Sequence, residues 1–328
     1  MTAYAEDVTW MSTFNYVSKG FKDPPTDHYF RPYFQSVMSK LDVHSIVYSP
    51  FCISYKHGAE YAYDYMMDFV KTYKGTPYFG LFWANSFSHD DPNLAFIMDE
   101  RISKYMGQLE EEGIMEESVI LFLADHGLRF GAARHTEVGG YEENLPMLNI
   151  WIPPKLRTPE ILENIRANQK KLINPYDVYH TMFDVLRMSG YEKPGLNRAA
   201  CLNCTSIFKP MPATRKCRDI GIPSQFCACK DYTSFPIDSN ITITTAAAIV
   251  NYMNGFKNTF KSSSFSGLCK NLSLGKINGA HESTEDDGNP NKNFVVSFET
   301  EPNKGQFEVT LTYQRTLQLL LSIRELFL

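Results

Sequence analysis

No stretch approaches twenty apolar residues, so nothing in the chain reads as a membrane-spanning helix; the apolar ending, Thr316 to Leu328, is short and interrupted by Arg324 and Glu325. No basic block is present either. With a formal net charge of -5 there is no electrostatic reason to expect a nucleic-acid partner. The amino end, MTAYAEDV, lacks the basic and apolar regions of a secretory leader. Internal repeats and low-complexity tracts are absent as well. What remains is a chain of 328 residues with 43% hydrophobic and 14% aromatic content, enough to bury a substantial core and to form two domains.

Histidine is missing near the cysteines, where a mixed zinc site would need it. Of seven cysteines, Cys201, Cys204, Cys217, Cys227 and Cys229 fall within 29 residues, and Cys269 follows. The spacings Cys201-x-x-Cys204 and Cys227-x-Cys229 leave a four-thiolate zinc site open. Disulfides are the expectation, because this segment has too little apolar content to order itself by burial. Three sequons, beginning at Asn203, Asn240 and Asn271, cluster in the same half and agree with an oxidising, glycosylating compartment. The expected location is therefore extracellular or in the secretory pathway, with any signal or anchor upstream. The odd count leaves a thiol over, and isolated Cys52 is the expected one.

Residues 119 to 127 read Val-Ile-Leu-Phe-Leu-Ala-Asp-His-Gly, an apolar run with strand character that ends in Asp125 and His126. In open α/β sheets the carboxyl edge of the strands is where ligands bind, and an Asp-His pair offers one oxygen and one nitrogen to a divalent metal. The competing reading is turn chemistry that merely closes a strand. Upstream, Tyr78 to Ala84 forms a second apolar strand and ends in Asn85-Ser86-Phe87-Ser88-His89-Asp90-Asp91. Between them Leu94, Met98, Ile102, Tyr105, Met106 and Leu109 follow the helical period, and Gly113 suits the helix end. Strand, crossover helix and strand imply a parallel pair with a right-handed connection, which brings His89 to the same side as Asp125 and His126.

The order SFSHDDPN, helix, LFLADHGLRFG, then RHTEVGGYEENLPML and a strand resembles the alkaline phosphatase superfamily, which includes sulfatases and phosphatases. More closely it resembles an uncharacterised sulfatase-like family, domain-of-unknown-function family 229. AEDVTWMSTFNY, GFKDPPTDHYFRPYF, the segment around Cys52 and RKCRDIGIPSQFCAC also match, so the resemblance covers most of residues 1 to 315. It implies an alkaline-phosphatase-like (sulfatase-like) α/β fold, a mixed, mostly parallel sheet flanked by helices and incomplete in this chain, with a small Cys-containing α+β region after it. It further implies that Asp125 and His126 ligate a divalent metal (Zn, Mn, Mg or Ca). His89 would contact the substrate or its leaving group, and Arg129 would bind the oxyanion through its bidentate fork. Glu142 and Glu143 match an acidic pair of unestablished role.

Each has a plainer alternative. His89 with Asp90 and Asp91 could cap the following helix. Arg129 could be a surface ion-pair partner. His135 reads as solvent-facing, and His180 as a packed or surface helix residue. In the superfamily the nucleophile and the remaining metal carboxylates precede the part that residue 1 resembles. No Cys-x-Pro-x-Arg or Ser-x-Pro-x-Arg pattern, from which a sulfatase makes formylglycine, occurs here. The expectation is a fragment of a metal-dependent hydrolase of phosphate or sulfate esters, whether small-molecule, glycan or lipid, inactive alone and with no nucleophile of its own. The alternative is a non-catalytic secreted binding module with the same fold.

Organisation follows from these signals. Residues 1–190 are expected to form the carboxyl half of the α/β domain, 191–233 a Cys-rich linker, and 234–328 a small α+β appendage. Residues 1 to about 45 read as loop plus a helix opened by Pro24-Pro25, and Glu60 to Lys71 as a second helix. Pro146 to Ile152 reads as a strand, with helices over Pro159 to Leu172 and Tyr176 to Met188. A helix is expected over Thr244 to Phe260. Phe294 to Glu299 and Gln306 to Thr312 alternate as a hairpin around Pro302-Asn303-Lys304-Gly305.

Overall fold

The computed structural model describes residues 1–16, 18–46, 49–129, 131, 136–191, 201–223, 226–229, 232–257, 270–284, 291–314 and 319–327. Two compact units share the chain. The first contains Met1–Lys170, Val178–Pro194 and Thr205–Met211, and the second Lys171–Asp177, Gly195–Cys204 and Pro212–Leu328.

The first unit begins with β1 (Thr2–Glu6), β2 (His28–Tyr29) and α1 (Arg31–Lys40), then β3 (Val43–Ile46), β4 (Ser49–Ile53), β5 (Lys56–His57) and α2 (Gly58–Thr72). It continues through β6 (Phe79–Trp83), α3 (Ala95–Glu111), β7 (Ile120–Leu123), α4 (Glu137–Asn144), β8 (Leu148–Trp151), α5 (Pro159–Asn168) and α6 (Pro175–Met188), whose first turn belongs to the second unit. β1 pairs in parallel with β2 on one side and with β6 on the other, in unbroken register from Thr2 opposite Phe79 to Glu6 opposite Trp83. Parallel neighbours need both faces covered. Helices α1 and α2 supply part of that cover: Ala5, Phe30, Phe34, Val37, Ile53, Tyr61 and Ala62 form one core cluster. Met67, Phe69 and Val70 join Ala3, Leu109 and Ile114 in another. Phe30 and Phe34 are essentially sealed from solvent, worth about 1.5–3 kcal/mol each. α2 starts at a reciprocal capping box in which Glu60 accepts from the His57 N–H. α3 ends at Gly113, whose φ of 69° is the left-handed value that favours glycine.

The molecule is mixed α/β with helices and several sheets. Two expectations are corrected. β6 takes its ladder with β1, whereas β7 pairs antiparallel with β8, from Ile120 opposite Trp151 to Leu123 opposite Leu148. An apolar run marks a strand without choosing its partner or direction, so periodicity could not distinguish these arrangements. The first helix opens at Arg31-Pro32 instead of Pro24-Pro25, and a strand, β1, occupies what read as loop.

In the second unit, β9 (Tyr232–Ser234) and α7 (Asn240–Lys257) precede β10 (Ser273–Ser283), β11 (Asn291–Glu301), β12 (Gly305–Gln314) and β13 (Leu319–Phe327). The sheet order is β13-β12-β11-β10-β9, antiparallel throughout. Ala246, Ile249, Val250 and Met253 on α7 pack with Ala280, Phe294, Val296, Phe298, Phe307, Val309 and Leu311 from the sheet. The hairpin predicted around Pro302 joins β11 to β12.

The cysteine segment is braced by disulfides Cys201–Cys204 and Cys217–Cys227, so disulfide chemistry, not zinc, uses these four thiols. Cys52 carries a free thiol, while Cys269 lies outside the described residues. Beside the disulfides Arg215 forks onto Asp177, with Nη2 2.8 Å from Oδ1 and Nη1 3.0 Å from Oδ2. Both side chains are buried. The guanidinium also donates to the carbonyls of Leu172 and Asn203, tying three segments to one charge pair.

Candidate functional site

Two strand ends in the first unit present chemistry. At the end of β7, Ala124 N–H donates to the Met147 carbonyl, which prolongs the pairing with β8 up to Asp125. Asp125 Oδ1 accepts from the His126 N–H at 3.0 Å, which orients the carboxylate. His126 Nδ1 lies 2.7 Å from the Gly127 carbonyl oxygen, so Nδ1 carries a proton and donates. Nε2 then stands 3.4 Å from Asp125 Oδ2. In the neutral tautomer two electron-rich atoms face each other, an arrangement satisfied by a proton on Nε2 or by a cation shared between them. Two ligands about 2.0–2.1 Å from a tetrahedral ion are themselves about 3.3–3.4 Å apart. The donor set of one imidazole nitrogen and one carboxylate oxygen therefore fits a divalent metal. Asp125 is largely exposed, with 61% of its side-chain surface accessible.

Gly127 explains why this turn is held. Its N–H donates to the Glu143 carbonyl at 3.0 Å, and a Cβ there would sit 2.0 Å from the Glu142 carbonyl oxygen. Only a residue without a side chain lets the backbone of the Asp-His turn lie against α4. α4 is itself fixed at its start, where Thr136 accepts from the Gly139 N–H. Arg129 faces the same helix: its Nε is 3.9 Å from Glu143 Oε1, as the ion-pair alternative supposed. Glu143 is mostly buried, whereas Arg129 is half exposed.

At the other strand end, the β1–β6 ladder delivers Glu6-Asp7 and the loop from Ala84 to Asp91 to one edge. Asp7 is fully buried and accepts from the Asn85 N–H at 2.7 Å, the Ser86 N–H at 3.1 Å and the Ser86 hydroxyl at 2.6 Å. Burial pushes its carboxyl up to about 6, overriding hydrogen bonds that act the other way. The same carboxylate adds to the effect of burial in raising the Tyr63 phenol. Asn85 turns the loop further: its side chain accepts from Trp83 Nε1 and donates to the Met11 carbonyl. On the loop so held, His89 Nδ1 is 2.8 Å from the carboxylate of Asp90, which is nearly buried. The cap of the next turn is Asp91, which accepts from the Asn93 N–H, so His89 does not serve there.

The structure thus pairs Asp125 with His126 and His89 with Asp90, on strands that belong to different ladders. Among the described residues no third His, Cys, Asp or Glu completes a ligand group with Asp125 and His126; the group found is Cys217, Cys227 and Cys229, two of which form a disulfide. His135 lies outside the described residues. His180 sits on α6 with its ring near Tyr179. Asp7 lies in the matching stretch AEDVTWMSTFNY without a role of its own assigned there, yet Thr-Ala-Tyr-Ala-Glu-Asp has the same form as the β7 run: small or apolar residues that end abruptly in acid.

No helix among the described residues is long and apolar enough to cross a membrane. No curated protein and no solved structure matches the chain. The family model described as "Protein of unknown function (DUF229)" matches residues 1–278, the greater part of the chain, and the protein belongs to that family.

Proposed function

We propose that this chain carries part of the site of a metal-dependent hydrolase acting on phosphate or sulfate esters, built on an alkaline-phosphatase-like framework. The observation that carries the reading is the 3.4 Å gap between His126 Nε2 and Asp125 Oδ2, with Nδ1 already committed to Gly127. Asp125 and His126 would hold the divalent ion, which when bound supplies charge to stabilise the ester oxygens as they become more negative. His89 would bind the departing oxygen or give it a proton, and Asp90, at Nδ1, would fix the ring's orientation. The buried Asp7 holds the loop that carries His89, and Gly127 holds the turn that carries His126. Arg129 is drawn toward Glu143, so an oxyanion would have to compete with that carboxylate.

On this reading no residue of the chain is assigned the part of the nucleophile. The disulfides agree with an extracellular or secretory location. A non-catalytic extracellular module with the same framework is the second reading, favoured by the Arg129–Glu143 pairing.

Titration calorimetry with zinc and manganese tests the proposal. The chain should bind one ion weakly, show no turnover of generic phosphate or sulfate esters, and lose affinity at least tenfold in Asp125→Ala. A chain that binds neither ion, or an Asp125→Ala variant that binds as well as the parent, refutes it.

A further inference from the structure

The three sequons are not equivalent once folded. Asn203 uses its Nδ2 to donate to the Asp219 carbonyl at 2.8 Å, and the residue after it, Cys204, is locked to Cys201. A glycan on that nitrogen would break the hydrogen bond and crowd the turn that bears Cys217. Asn240 is different. It is exposed, and the work of starting α7 is done by its neighbour: Ser239 Oγ accepts from the Thr242 N–H at 3.1 Å. The Asn240 backbone carbonyl accepts from the Thr244 hydroxyl, and no hydrogen bond of this turn uses the Asn240 amide. The apolar face of α7 that packs on the sheet runs through Ala246, Ile249, Val250 and Met253. At Asn271 the next residue, Leu272, has its N–H and carbonyl both held by Asn254, and the contrast that matters is between the first two.

We propose that Asn240 is an N-glycosylation site whose glycan the folded chain accommodates, an inference that rests on the secretory location. The step joins Asn240 Nδ2 to the anomeric carbon of an oligosaccharide carried on a polyprenyl diphosphate. The bond from that carbon to the diphosphate oxygen breaks, the diphosphate leaves with the electron pair, and the amide gives up one proton to solvent. Timing follows from Thr242, which completes the sequon. It is fully buried and its hydroxyl donates to the Pro236 carbonyl at 2.8 Å, so the transfer precedes formation of α7.

The test is translation of residues 1–328 behind a cleavable leader into microsomes, followed by glycosidase treatment in heavy-oxygen water and peptide mapping. The Asn240 peptide should acquire the label, and Asn240→Gln should lower the mass by one glycan. Folded chain mixed with transferase and lipid-linked donor should remain unmodified at Asn240. The leader forces entry, so an unlabelled Asn240 overturns the site and not the compartment. Modification of the folded chain at Asn240 also overturns it. The compartment is tested separately, by whether the native parent protein reaches the medium.

Discussion

Asp7→Asn should erase a pH dependence of stability that the parent chain displays between about pH 4 and pH 6. Burial holds the Asp7 carboxyl at about 6 in the folded chain against an ordinary value of 3.8. A gap of roughly two units corresponds to about 3 kcal/mol of linkage. The sign follows from the direction of the shift. A raised carboxyl means that the folded state binds the proton more tightly than the unfolded one. Its contribution is therefore fully present below the unfolded value and lost as pH rises through about 6, the opposite of a salt-bridged aspartate. The assay is urea unfolding at half-unit steps of pH, read by tryptophan fluorescence. Trp10, Trp83 and Trp151 all lie in the first unit, so the signal reports the unit that contains Asp7. Subtracting the variant's curve from the parent's cancels groups that titrate alike in both. The difference should fall by about 3 kcal/mol from pH 4 to pH 7. A flat difference, or one that rises with pH, would show that the three donors from Asn85 and Ser86 outweigh burial, and the account of Asp7 would fail.

Gly127→Ala should cost about 1–3 kcal/mol in the same fluorescence assay, because the new methyl meets backbone atoms of Glu142 that cannot rotate away; unchanged stability would refute the close approach. Arg215→Ala leaves a buried carboxylate at Asp177 without its guanidinium and should destabilise the second unit by about 3–5 kcal/mol, measured by hydrogen exchange, with Arg215→Met combined with Asp177→Leu losing less. Peptide mapping without reductant should recover Cys201 joined to Cys204 and Cys217 joined to Cys227, whereas zinc released on denaturation would contradict the bridges.

The local features were legible because each carries its own signature. The period of residues 94 to 109 is the α3 face, Gly113 is its left-handed end, and Pro302 to Gly305 is the hairpin turn. The ends of β6 and β7 could be read for the same reason: an apolar run that stops at Asp or His is visible without any partner. What could not be read is which strand lies beside which. β1 is five residues long and weakly apolar, and its partners His28 and Phe79 are distant in sequence, so nothing local announces it. Asp7 was hidden with it, since a carboxylate becomes unusual only through the burial its neighbours impose. Arg129 illustrates the converse: residue type suggested an anion contact, and only the fold shows Glu143 beside it.

The β1–β6 ladder also has a consequence for synthesis. Seventy-eight residues separate Asp7 from Asn85, so on that side β1 pairs with a strand made much later than itself, although β2 is available sooner on the other. At about 5–20 residues per second, the edge of β1 that β6 will cover waits roughly 4–15 s unpaired. Loops of that length close slowly compared with local hairpins, and a waiting strand is open to pairing with another chain. The nascent protein should therefore depend on holding chaperones while the stretch from β1 to β6 is made, and slower translation after β6 should change little. A pause placed before Phe79 lengthens the exposure of β1, and aggregation during expression should rise with it.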